Sequence, residues 1–235
     1  MTERWQTRRH GPLTRLEDGL YVVEAELESA PIGRRMTIFR LSDGSLALHS
    51  VIACDEATMA AIEALGELRY LLVPSALHTM DAPAYVARYP SLEVLTTAAS
   101  RPKVEPRVAV RGEFSRLPGD PRLRHEVLEG APLEAVFVHT SPEGAVSLVF
   151  NDVLMNLPDR LPGFKGWLTK LMGSTGGPKV TKIARRFLVE DPAQLAAQFE
   201  HLAAIPGLRR LVVGHGALVE VDAAGVLQTV AATLR

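Results

Sequence analysis

The run Tyr70-Leu71-Leu72-Val73 stops at Pro74, and a short polar loop carrying His78 and Asp81 follows. So short and wholly apolar a run predicts a strand buried on both faces, as in a sheet covered by helices. Proline cannot donate to a sheet ladder, so the strand ends at Pro74. Side chains just past a strand's C-terminal end are where α/β folds concentrate their chemistry. The pattern recurs along the chain. His49 closes Ser-Leu-Ala-Leu-His, Asp152 follows Ala-Val-Ser-Leu-Val-Phe-Asn, and His215 follows Arg-Arg-Leu-Val-Val-Gly.

Three imidazoles and one carboxylate suit a divalent transition metal such as Zn, Fe or Mn. The expected ligands are therefore His49, His78, Asp152 and His215, with an empty site as the alternative. Each residue also has a plainer reading. His49 alone reads first as a core histidine bonded to a loop. His78 and Asp81 are close enough in sequence for a local turn contact, and Asp152 can cap a turn. His215 lies between Gly214 and Gly216, which let backbone approach closely, so it is the hardest to dismiss. His139 is a weaker candidate, and His10, His125 and His201 have no functional case. Cys54 follows His49 closely, but a buried inert thiol is its usual fate.

The remaining pattern predicts strands at Leu20–Leu27, Met36–Leu41 and Leu46–His49. The last two are joined around Asp43-Gly44, a strong hairpin signal. Asp55 is placed to cap a helix bearing Met59, Ile62 and Leu65, with Gly66 as its stop. A short helix over Pro83–Arg88 and a strand over Leu92–Thr96 follow. Residues 98–123, rich in Pro, Arg and Gly, read as a connector with one short element at most. A second strand group covers His125–Leu128, Leu133–His139 and Val146–Phe150, with a turn at Pro142-Glu143-Gly144. Leu161, Phe164, Trp167, Leu168, Leu171 and Met172 recur at helical spacing, predicting a helix packed on a sheet. Its aromatics, with Lys165 and Lys170, allow a second reading as a lid or membrane-surface helix. A helix starting at Asp191-Pro192 carries Leu195, Phe199 and Leu202 on one face. A strand at Leu208–Val213, a short one at Val219 and Val221, and a helix over Val226–Leu234 end the series. Strands and helix, a connector, then strands and helix again predict two sheets packed face to face with helices outside.

Composition narrows the partners. A formal net charge of −1 over 235 residues gives no whole-molecule attraction to nucleic acid or anionic membrane. One cysteine excludes an internal disulfide framework and fits a reducing cytoplasm. The charged N-terminus is not a secretory signal, and no apolar run approaches the ~20 residues of a membrane span. Phosphate-binding Gly-rich loops, a Gly-x-Ser-x-Gly elbow and Cys-x-x-Cys pairs are all absent. The expectation is a cytoplasmic protein acting on a small molecule.

Four segments resemble the metallo-β-lactamase-like superfamily, in its order. They are Arg-Met-Thr-Ile-Phe-Arg-Leu-Ser-Asp-Gly-Ser-Leu-Ala-Leu-His-Ser, Tyr-Leu-Leu-Val-Pro-Ser-Ala-Leu-His-Thr-Met-Asp, Val-His-Thr-Ser-Pro-Glu-Gly-Ala-Val-Ser-Leu-Val-Phe-Asn-Asp and Leu-Val-Val-Gly-His-Gly. The resemblance is closest to a divergent branch and implies an αββα sandwich over a single domain, residues 1–235, with 1–13 a loose leader. It also implies a site on one edge, between the halves. Where that fold carries His-x-His-x-Asp-His, this chain has only His78, with Asp81 three residues on. Glu143 stands where a second-half ligand histidine is expected, and His49 where a strand-end Asp is usual. The resemblance thus implies at most one metal ion. The expected function is a metal-dependent hydrolase of an ester, amide or phosphoester. His78, Asp152 and His215 would hold the ion, His49 would be a fourth ligand or general base, and Asp81 would orient a ligand or the water. The alternative is a non-catalytic relative that has lost the metal and binds a ligand or a protein.

Overall fold

The computed structural model describes residues 4–27 and 30–235, which divide into two units. The first takes residues up to 26 and 35–124, and the second 27–34 and 125–235.

The first unit is built on a seven-stranded sheet whose strand order is the chain order. The strands are β1 (Thr14–Glu17), β2 (Leu20–Leu27), β3 (Ala30–Arg40), β4 (Leu46–His49), β5 (Leu68–Leu72), β6 (Glu93–Thr96) and β7 (Gly112–Glu113), and β3 joins this unit from Arg35 onward. β3 and β4 form the expected antiparallel hairpin, with Arg40 opposite Leu46. In its turn the Asp43 carboxylate accepts from both the N–H and the hydroxyl of Ser45, and Gly44 takes φ +83°. From β4 to β7 the strands run parallel, so each connection must cross over. Helix α1 (Glu56–Glu63) makes the first crossing, its N-terminus capped by Asp55 accepting from the Thr58 amide. Helix α2 (Ala82–Arg88) makes the second. Met59, Ile62 and Tyr85 of these helices pack with Ile38, Leu48, Leu71 and Val94 of the sheet.

Two expectations change here. Residues 98–123 hold more than one short element: a helical turn α3 (Arg101–Val104), β7, and a 3-10 turn at Phe114–Arg116 with Phe114 buried. Pieces this short show no periodicity, so the sequence hides them. Residues 4–13 are irregular but not loose. Trp5 Nε1–H donates to the Cys54 carbonyl at 2.9 Å, the Arg8 amide donates to the Ala53 carbonyl at 2.8 Å, and His10 Nε2 accepts from the Asp55 amide at 3.0 Å.

The second unit has a four-stranded sheet in the order β13-β10-β9-β8. The strands are β8 (Leu123–Val127), β9 (Ala135–Thr140), β10 (Val146–Val149) and β13 (Leu208–Val212), while β11 (Met155–Leu157) and β12 (Gly177–Lys179) pair separately. β10 is antiparallel to β9 and parallel to β13. Four helices follow the sheet's first strands: α4 (Gly163–Leu171), α5 (Lys182–Phe187), α6 (Pro192–Ala203) and α7 (Ala223–Ala232). Leu195, Phe199 and Leu202 of α6 pack on Val138, Leu148 and Phe150, as their spacing predicts, with Phe150 and Phe199 edge-on at 5.6 Å. Each unit is thus a sheet with helices on it, the mixed α/β class expected.

Three readings in this unit need correction. Val219 makes only an isolated bridge to Leu211, and Val221 is 82% exposed. Helix α5 has too few apolar positions to show as a period. Helix α4 forms where expected but is turned the other way. Gly166 is buried, while Phe164, Trp167 and Leu171 are 76%, 57% and 66% exposed. A Cβ on Gly166 would lie 2.2 Å from the Leu161 carbonyl oxygen, so only the small-residue side can lie against the chain. Among the described residues no helix is long and apolar enough to cross a membrane.

Candidate metal centre

In the first unit His49 closes β4, opposite Thr37 of β3 and Leu72 of β5. Leu46 and Leu48 point into the helix-covered cluster, so alternation puts His49 on the other face, 1% exposed. That is the setting of a core histidine. Ser50 follows at φ +57°, uncommon for a residue with a side chain. Its amide donates to the Leu72 carbonyl, and its Oγ lies 2.6 Å from His78 Nδ1. Sequence reasoning missed Ser50, because nothing marks a serine 28 residues away as the partner of His78.

His78 ends a 3-10 turn over Ala76–His78. Ser75 caps it by accepting from the Leu77 amide at 3.3 Å, and the Thr79 hydroxyl donates to the Ala76 carbonyl at 3.0 Å. The turn buries His78 and exposes Leu77. Asp81 begins α2 without capping it. Its Oδ1 accepts from Arg8 Nε at 3.1 Å and Nη2 at 2.9 Å, and its Oδ2 accepts from the Ala53 amide at 3.2 Å. Both oxygens hold the N-terminal segment and the loop after β4, which is clamp chemistry rather than the orienting of a water.

In the second unit the sequence's best pair is brought together: His215 Nε2 lies 3.0 Å from Asp152 Oδ1, both nearly fully buried. Parallel pairing of β10 with β13 sets this, since the loops leaving the two strands emerge side by side. His215 Nδ1–H donates to the Gly33 carbonyl at 2.6 Å, a contact that fixes the ring's orientation. Burial pushes the His215 pKa down, but the hydrogen bond and charge of Asp152 and the Gly33 carbonyl outweigh it, and the pKa stands above the usual histidine value.

The glycines flanking His215 admit the chain's own backbone. A Cβ on Gly214 would meet the Asn151 backbone Cα at 3.3 Å and its side-chain Oδ1 at 3.0 Å, and one on Gly216 would meet the Asn156 carbonyl oxygen at 1.9 Å. Gly216 also has φ +93°. Gly216→Ala is expected to cost about 3 kcal/mol or more in a urea titration, from strain and collision together. Gly44→Ala, equally left-handed but with nothing within 4 Å of its Cβ, should cost only about 1 kcal/mol.

Glu134 is the second residue that sequence reasoning missed. It is fully buried, and its two oxygens accept from the amides of Asp152 at 3.1 Å and Val153 at 3.0 Å. Burial first, and then the neighbouring Asp152 charge, raise its pKa to about 8. An acidic residue just ahead of an apolar strand looks like surface, and only the fold turns it inward. His139 sits inside β9 opposite Ser147 and is fully buried. Glu143 is corrected outright: it is exposed in the β9–β10 turn, at the opposite end of β10 from Asp152, and cannot stand in for a ligand histidine.

No protein-family profile and no curated protein sequence matches the chain. Solved structures do. The crystal structure of VMB-1 superposes with a TM-score of 0.61 over 97% of this chain and 99% of that one, at 14% identity. The DIM-1 metallo-β-lactamase gives 0.58 at 11% identity, covering 97% of this chain and 100% of that one. A metallo-β-lactamase from Erythrobacter litoralis gives 0.62 at 15% identity, covering 94% and 96%. The chain has the metallo-β-lactamase fold. Within that fold this chain is divergent: Ala76 and Leu77 precede His78 and offer no ligand atom, and Asp81 is engaged by Arg8 and Ala53.

Proposed function

We propose that this metallo-β-lactamase-fold protein is a hydrolase that works with one divalent ion held by His78, Asp152 and His215. The observation that carries the reading is chemical: two buried imidazoles and one buried carboxylate, with His215 and Asp152 already paired at 3.0 Å, are a donor set that suits one ion. The Nδ1 atoms of His78 and His215 are committed to Ser50 and to the Gly33 carbonyl, which leaves Nε2 as the ligand atom of both rings. Zinc suits two imidazoles and a carboxylate, and three protein ligands with an open position are the pattern of catalytic rather than structural zinc. When bound, the ion would supply Lewis acidity, acidifying water and polarising a scissile bond. The chain's own residues do the holding. Ser50 orients His78, Gly33 fixes the His215 ring, and Glu134 anchors the loop that presents Asp152. In this reading His49 and Asp81 brace the first unit and do not touch reacting atoms. The substrate class is a small ester, amide or phosphoester, and the compartment is the cytoplasm, in keeping with a chain whose single cysteine, Cys54, is buried.

Elemental analysis of the purified protein tests this. One Zn, Fe or Mn per chain is expected. Stripping it with a chelator should lower Tm by roughly 5–10 °C, from ~2.7 kcal/mol of linkage at a hundredfold excess over Kd. Hydrolysis of at least one ester, amide or phosphoester should fall with the metal. A metal-free protein whose melting ignores both chelator and added zinc would leave a binding module that keeps only the fold.

A further inference from the structure

Helix α4 is an amphipathic helix mounted inside out. Phe164, Trp167, Leu168 and Leu171 recur at the spacing of one helix face, and all four are exposed. Phe164 and Trp167 stack at 5.6 Å in the open. The face toward the protein carries Gly166, buried, and Thr169, half-buried. Helix α5 continues the surface: a Cβ on Gly173, just past α4, would lie 3.0 Å from the Lys182 side chain, and Ile183 and Phe187 of α5 are exposed. Of the eleven large hydrophobic residues exposed among those described, seven fall between positions 164 and 187. A monomer rarely leaves so concentrated a patch to water without a use for it.

The charge of the same stretch says what covers it. Residues 158–187 hold seven Lys or Arg and one Asp, a local charge of +6 within a chain of net −1. Lys170, Lys182 and Arg186 are exposed beside the apolar side chains. The near-neutral total hides this segregation. Apolar and aromatic side chains interleaved with cations fit an interface that is greasy and negative at once, as an anionic lipid surface is. A protein partner would need a hydrophobic patch of its own rimmed by acids; a membrane offers both everywhere. Tryptophan also favours the headgroup level of a bilayer.

We propose that the protein docks reversibly on anionic membrane surfaces through α4 and α5, with Phe164, Trp167 and Leu171 inserting and the basic residues meeting lipid phosphates. The proposal is independent of the metal reading.

The test is sedimentation of the full chain with vesicles of phosphatidylcholine alone and of phosphatidylcholine mixed with phosphatidylglycerol. Binding to the anionic vesicles is expected, with little to the neutral ones, and it should weaken as salt rises. Lys170→Gln with Arg186→Gln should weaken it about 30-fold, at roughly fivefold per cation near the surface. Trp167→Ser with Leu171→Ser should abolish it while leaving the melting temperature unchanged, since both side chains are exposed. Absence of binding to anionic vesicles at low salt overturns the proposal. So does binding indifferent to the Trp167 and Leu171 changes, which would be mere adsorption of a basic patch. A wild type that self-associates, with the same double variant monomeric, assigns the surface to a second copy and overturns it too.

Discussion

His215→Ala is expected to give a folded, metal-free protein with hydrolysis at background and stability lower by about 3–5 kcal/mol. The magnitude follows from the pair it breaks. Asp152 Oδ1 lies 3.0 Å from the ring, and both are almost without solvent. Removing one member of a buried pair leaves the other's charge uncompensated, and this costs far more than the pair itself contributes. On the proposed reading His215→Ala also removes one of three ligands, so ion content and stability should fall together. Urea titration and elemental analysis of the same preparation read both. A variant that retains a full complement of metal would rule out His215 as a ligand, whatever its stability.

Glu134→Ala is expected to cost a similar amount without touching a ligand atom. It strips acceptors from two buried amides, each worth about 1–3 kcal/mol when left unsatisfied, and opens a cavity. Glu134→Gln keeps the volume and one good acceptor and should cost less, about 1–2 kcal/mol. The pair of variants has a pH signature. The folded pKa of Glu134 is near 8, against an ordinary 4.5, so the folded chain holds a proton that the unfolded chain releases. That contribution is complete below about 4.5 and is lost as pH climbs through 8. The metal-free protein should therefore lose stability on the order of a few kcal/mol across that window. Glu134→Gln, which cannot titrate, should flatten the profile. An unchanged slope in Glu134→Gln would mean that another group carries the dependence.

Much of this architecture could be read from residues alone, because its signals are local. The Asp43-Gly44 hairpin, the Asp55 cap and the α6 face each depend on neighbours within a few positions. So does the habit of ending strands in ligand-capable residues, which brought out Asp152 and His215. What stayed hidden depends on partners far away. Asp81 looks like a functional acid until Arg8, 73 residues earlier, takes its Oδ1. Glu134 looks like a surface residue until two amides 18 and 19 residues on find it. Helix α4 shows a third kind of failure. Its period was correct, but periodicity reports only that one side is apolar, and Gly166 decides which side faces water.

The contact between Gly33 and His215 has a consequence for how such a chain can be cut or recombined. Residues 27–34 belong with 125–235 although 90 positions of sequence intervene. A fragment beginning at 125 would therefore lack the carbonyl that orients its own imidazole. No single crossover, whether made by gene fusion or in the laboratory, can exchange that half alone; without residues 35–124 it must be inherited in two pieces.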